Sequence, residues 1–186
     1  MRILLLGNSF TFYNDMPQML AQLLSAEVTA HTRGGATLRE HLNPETELGK
    51  KTLHALREES WDFVVLQEQS IAPVTRREKF LASVRELCPL IRQAGAQPVL
   101  YATWAYREGS EKLAKTGLTY EQMSRALAES YRAAAVENNA LLAEVGTKFD
   151  QARARFELYR PEDDYHPTLA GTHLIAHTLA ETIRTA

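Results

Sequence analysis

The sequence predicts an α/β fold, a three-layer α/β/α sandwich built on a parallel sheet of about five strands. Three observations point there. Short runs of continuously apolar residues recur along the chain, as in strands covered on both faces. Segments of helical periodicity separate them, and such alternation implies right-handed crossovers between parallel strands. No internal repeat, low-complexity tract or linker interrupts the pattern, so the 186 residues are expected to form one domain.

Residues 3–6 are continuously apolar and form the first predicted strand. Residues 16–25 follow with Met16, Leu20, Leu23 and Leu24 at helical spacing. Residues 28–32 form a second strand that runs into Arg33-Gly34-Gly35-Ala36-Thr37. A polar helix over 44–59 carries Leu48, Leu53 and Leu56. Residues 63–66 are a strongly apolar strand that ends at Gln67-Glu68-Gln69-Ser70. The helix over 76–94 sets Phe80, Val84, Leu87 and Ile91 on one face, and Cys88 beside them reads as core filler. A strand over 98–103, a polar loop over 107–117, a helix over 120–138 and a last strand over 140–145 follow. Residues 148–160 leave room for one short helix, and a helix over 167–185 closes the chain, with Pro167 suited to its first position.

Composition narrows the function. Hydrophobic residues make up 45% and charged residues 24%, as in globular proteins, and the formal net charge of −2 gives no basic surface for nucleic acid. Cys88 is the only cysteine, which excludes an intrachain disulfide and fits a reducing compartment. No apolar stretch reaches the length of a membrane span. Arg2 and the apolar run after it resemble a signal peptide, yet the run enters Gly7-Asn8-Ser9 without a small-residue cleavage site. The expectation is a cytoplasmic protein that needs neither membrane nor nucleic acid. Oligomeric state is not encoded in any pattern of the chain.

Ligands of open parallel sheets bind outside the carboxyl ends of the strands. Four segments fall there or on the same side: Gly7-Asn8-Ser9, Gly34-Gly35, Gln67-Glu68-Gln69 and Asp163-x-x-His166. A serine hydroxyl is a poor nucleophile unless a base lies within hydrogen-bond reach and a third group orients that base. Ser9 is the candidate nucleophile, His166 the base and Asp163 the orienting carboxylate, with Asp164 as its rival. The backbone N–H groups of Ser9 and Gly35 and the side-chain amide of Gln69 are candidate oxyanion donors. Gln67 competes with Gln69, because alternate strand residues share a face.

These segments resemble the SGNH (GDSL-type) hydrolase superfamily. Gly7-Asn8-Ser9-Phe10-Thr11 is similar to its first block, where Gly-Asp-Ser is more usual; Gly35 stands in the place of the second-block glycine, and Asp163-x-x-His166 matches the fifth block. The third block departs: Leu66-Gln67-Glu68-Gln69-Ser70 stands where Gly-x-Asn-Asp is usual, as in a divergent branch with Gly-Asn-Ser-Phe-Thr and Gln-x-Gln-Ser. The resemblance implies a flavodoxin-like fold and Ser–His–Asp hydrolysis of a small-molecule ester, such as an acetylated alcohol or sugar, with no cofactor.

Competing readings accompany each residue. Gly-x-Ser after a strand and Asp-x-x-His before a helix both serve turns and caps. Gly34 reads as a turn residue, and Asn8 as a brace or a solvent-facing turn residue. His173 and His177 have metal-ligand spacing but no third ligand, so no metal is expected and His173 reads as a packed helix histidine. Trp104 and Tyr106 follow a strand end, where aromatics line a substrate cleft or pack. The alternatives to an esterase are an acyltransferase and a non-catalytic module on the same fold that binds a carbohydrate or nucleotide.

Overall fold

The computed structural model describes residues 1–186. Five strands, β1 (Arg2–Gly7), β2 (Glu27–Thr32), β3 (Phe63–Leu66), β4 (Gln97–Tyr101) and β5 (Leu141–Ala143), form one parallel sheet in the order β2-β1-β3-β4-β5. The chain leaves β1 toward one edge and returns to pair β3 on the other side of β1. The carboxyl ends of β1 and β3 therefore border the point where the strand order reverses, which is where such sheets bind ligands. Leu6 is in register with Leu66, so Gly7 and Gln67 emerge side by side.

Ten helices surround the sheet: α1 (Ser9–Phe12), α2 (Met16–Leu24), α3 (Leu38–His41), α4 (Glu47–Glu58), α5 (Ala72–Thr75), α6 (Arg77–Gln93), α7 (Glu111–Ala114), α8 (Tyr120–Glu137), α9 (Val145–Ala152) and α10 (Leu169–Arg184). The strand pleat divides the core in two. Leu4 and Leu6 of β1 join Leu56 of α4, Val84 and Leu87 of α6 and Tyr131 of α8. Ile3 and Leu5 join Leu20 of α2, Phe149 of α9 and Ile175 and Leu179 of α10. Each fully buried side chain of this kind stabilises the fold by about 1.5–3 kcal/mol. Helices thus cover both faces, and the continuous apolar runs of β1 and β3 follow from that.

The structure corrects some boundaries. Four short helices (α1, α3, α5 and α7) occupy segments that lack a full helical period, α7 within the expected polar loop. The ambiguous segment resolves into α9, which starts earlier than expected because Val145 and Phe149 dock into the core. Pro167 is not the first residue of α10. Thr168 is the N-cap, its hydroxyl accepting the Gly171 N–H at 3.2 Å, and Pro167 instead pairs with Tyr159 in an isolated bridge. No helix is long and apolar enough to cross a membrane.

Candidate active site

Every residue of Gly7-Asn8-Ser9-Phe10-Thr11 has a local physical role. A Cβ at Gly7 would stand 2.3 Å from Thr11 Oγ1 and 2.7 Å from Gln67 Oε1, so only glycine lets the first turn of α1 and the end of β3 close on the strand. The Asn8 side chain accepts the Phe10 N–H at 3.1 Å, capping α1, and donates to the Ala36 carbonyl at 2.9 Å. Asn8 is therefore the brace of the turn and is buried. Phe10 stacks on Trp104 at 4.4 Å between centroids, and the Thr11 hydroxyl donates to Gln67 Oε1 at 2.9 Å. Between these anchors Ser9 is held at the start of α1, half exposed.

His166 and Asp163 come from the loop before α10. Ser9 Oγ lies 2.8 Å from His166 Nε2, and His166 Nδ1 lies 2.8 Å from Asp163 Oδ2. The other oxygen of Asp163 accepts the N–H groups of Tyr165 (3.1 Å) and His166 (2.9 Å). Burial alone would raise the Asp163 carboxyl, but these donors outweigh it and hold it below the usual carboxylate range. Asp164 points elsewhere: it sits in the left-handed region (φ 62°) and its carboxylate meets Arg107 at 3.4 Å. Burial, helped by the more distant charges of Arg160 and Lys112, lowers the affinity of His166 for its proton against the pull of Asp163. Asn14, also left-handed (φ 51°), donates to the Pro167 carbonyl at 3.1 Å and so ties the segment after Ser9 to the His166 loop.

The end of β3 knits the loops together. Gln67 ties the Ser9 turn to β3: its Oε1 accepts from the Asn8 N–H (3.0 Å) and the Thr11 hydroxyl, and one N–H of its Nε2 donates to the Glu68 carbonyl. Gln67 is buried, 1% exposed, whereas Gln69 is half-buried. Gln69 donates one amide N–H to Ser70 Oγ at 3.0 Å and keeps the other. Gly35 is exposed in a turn closed by the Ala36 N–H to the Arg33 carbonyl at 3.0 Å, with φ 70° as a type II turn requires. Its surroundings leave room for a Cβ, so the demand for glycine at 35 is conformational.

Two expectations for the cleft fail. Trp104 does not line it. Its ring is 1% exposed, stacked between Phe10 and Phe149 (4.2 Å), and its indole N–H is satisfied by the Tyr165 carbonyl at 3.0 Å. Tyr106 is likewise buried, its hydroxyl joined to Ser70 Oγ at 2.7 Å. His173 is exposed rather than packed; with His177 it borders an apolar hollow that includes Phe156, Leu158 and Leu174.

Sequence reasoning missed three residues. Tyr13 stacks on the His166 ring at 4.1 Å with 15° between planes, and Tyr165 covers the ring at 4.1 Å. Glu68, 2% exposed, accepts the Leu38 N–H at 3.2 Å and the Gln69 N–H at 2.6 Å, joining the second loop to the third. Burial pushes its carboxyl up to about 7. Tyr165 was within reach of inspection, because it lies between Asp163 and His166; Tyr13 and Glu68 carry no signal in spacing.

No protein-family profile matches the chain, and no curated protein matches it. Solved structures do. A protein of Slackia heliotrinireducens assigned to the SGNH hydrolases is 51% identical, covers 98% of both chains and superposes with a TM-score of 0.93. The acetylxylan esterase of Geobacillus stearothermophilus (16% identity, 98% of this chain and 93% of that one, TM-score 0.69) has the same fold. So does a GDSL-like lipase assigned in Parabacteroides merdae (16% identity, 100% and 96%, TM-score 0.73). Identity of this extent along nearly the whole length decides the matter: the chain belongs to the SGNH hydrolases, serine hydrolases that act on esters.

Proposed function

We propose that this chain, folded as one domain, hydrolyses a small acyl ester, with acetyl the favoured acyl group, of an alcohol or carbohydrate. Ser9 Oγ attacks the ester carbonyl while His166 Nε2 takes its proton. The oxyanion that develops on the carbonyl oxygen accepts the N–H groups of Ser9 and Gly35 and the free amide N–H of Gln69; one such donor is worth about 3–4 kcal/mol in the barrier. His166 then returns the proton to the leaving alcohol, and the acyl group remains on Ser9. Water, deprotonated by His166, attacks the acyl-enzyme and releases the acid. Asp163 fixes the imidazole tautomer and stabilises its protonated form.

The observation that carries this reading is the unbroken line of two 2.8 Å contacts from Ser9 Oγ through the imidazole to Asp163. The preference for a short acyl group is supported by a chain whose long helices all pack on the sheet, a fold shared with the Geobacillus acetylxylan esterase. Turnover of p-nitrophenyl acetate tests the reading. Ser9→Ala should lower kcat by about 10⁴-fold or more, and a fluorophosphonate should label the wild-type protein at Ser9 alone. Wild-type turnover by Ser9→Ala would show that another group attacks.

A further inference from the structure

Lys112, on α7, has its ammonium 3.5 Å above the ring of Tyr165 and 5.2 Å from that of Tyr106. Tyr165 in turn packs on the His166 ring. One aromatic ring therefore separates this charge from the imidazole. Other cations of the neighbourhood are paired off: Arg107 with Asp164 (3.4 Å) and Glu157 (3.6 Å), Arg160 with Glu162 (3.3 Å), Arg153 with Asp150 (3.2 Å) and Glu108, and Lys115 with Glu111 (2.8 Å). No carboxylate comes within 4.0 Å of Lys112 Nζ. Asp163 attracts it from farther away, but the oxygens of Asp163 already receive His166 and two backbone N–H groups. Lys112 is half-buried. It has three donors and only π faces for company, which leaves it short of acceptors.

We propose that Lys112 determines specificity by receiving an anionic oxygen group, a carboxylate, phosphate or sulfate, carried on the leaving-group side of the ester. The substrate class is then an acyl ester of an acidic alcohol, such as an acidic sugar. The leaving-group side follows from the position of Tyr165: it flanks His166, which hands its proton to the departing alcohol. This assignment rests on the ester hydrolysis proposed above and names the substrate of that same site.

The test compares kcat/KM for 4-acetoxybenzoate with that for its neutral isostere 4-acetoxybenzamide. The wild-type ratio of anionic to neutral ester should exceed the ratio of Lys112→Gln by about tenfold, the worth of one partly screened charge-assisted hydrogen bond. Added salt should shrink that excess, and Lys112→Arg should keep most of it. Lys112→Met, which retains an apolar stem over Tyr165, serves the same comparison if the glutamine variant folds poorly. Equal ratios in wild type and the neutral variants overturn the assignment and leave the hydrolase reading intact. A Lys112-dependent preference for mono-(4-nitrophenyl) glutarate over p-nitrophenyl acetate, with none for 4-acetoxybenzoate, overturns the leaving-group placement. No turnover of any ester by the wild type overturns the hydrolase reading and this assignment with it.

Discussion

The imidazole of His166 is crowded by groups that act on its proton in opposite directions. Burial disfavours the imidazolium, Arg160 and Lys112 add to that, and Asp163 opposes them; the outcome lies below the ordinary 6.5. A general base works only when neutral, so kcat/KM for p-nitrophenyl acetate should rise with pH and reach half its plateau below pH 6.5. A half-point at or above 6.5 would contradict the balance of charges described. Ser9, Asp163 and His166 could be singled out from the sequence because their chemistry demands particular residue types, and the family spacing favoured Asp163 over Asp164. Tyr13 could not, since its ring stacks on the imidazole where the chain runs through two left-handed residues, Asn14 and Asp15, that no spacing announces. The choice between Gln67 and Gln69 also needed coordinates. Both extend from one strand end, and only the folded chain shows that Gln67 binds the Ser9 turn while Gln69 turns to Ser70.

At the scale of elements, the approach of α1 to the ends of β1 and β3 is the tightest fit of the site. Gly7→Ala would drive a methyl group into Thr11 Oγ1 and Gln67 Oε1, neither of which can retreat without losing its hydrogen bond. The variant should lose about 1–3 kcal/mol of stability and, because Ser9 is carried by α1, more than tenfold in turnover, an amount set by misplacement of a reacting group. Thermal denaturation and p-nitrophenyl acetate hydrolysis measure the two effects; an unchanged melting temperature with full activity would refute the argument from space. The strands and long helices were readable because ten or more residues of α4, α6, α8 and α10 repeat one apolar face. Helices α1, α3, α5 and α7 have four residues each, too few for a period to declare itself. Trp104 misled for a related reason. A large aromatic residue after a strand is equally consistent with cleft or core, and the two phenylalanines that enclose it come from distant segments.

Across the whole molecule, acid should loosen the fold. His31 and His41 are buried and share Thr52 between them (3.4 and 3.0 Å), and burial presses both from 6.5 to about 4. The unfolded chain takes up protons near 6.5 that these side chains refuse when folded. Stability is therefore full above pH 6.5, declines as pH falls toward 4, and levels off once the folded form is protonated too. His166, also lowered, adds to the decline. Glu68, raised to about 7, works against it over much of the same window, but three histidines outweigh one carboxyl. The urea midpoint should be lower at pH 5 than at pH 7, and equal midpoints would rule the linkage out. The layered architecture was legible from alternation alone; the strand order was not, because every crossover looks alike until the sheet is assembled. Ser9 and His166 stand 157 positions apart in the sequence and meet at 2.8 Å only in that assembly. During synthesis the ribosome releases the alcohol long before the imidazole exists. On the triad proposed above, a nascent or clipped chain carries half of a reagent, completed only when the loop before α10 is made and docked.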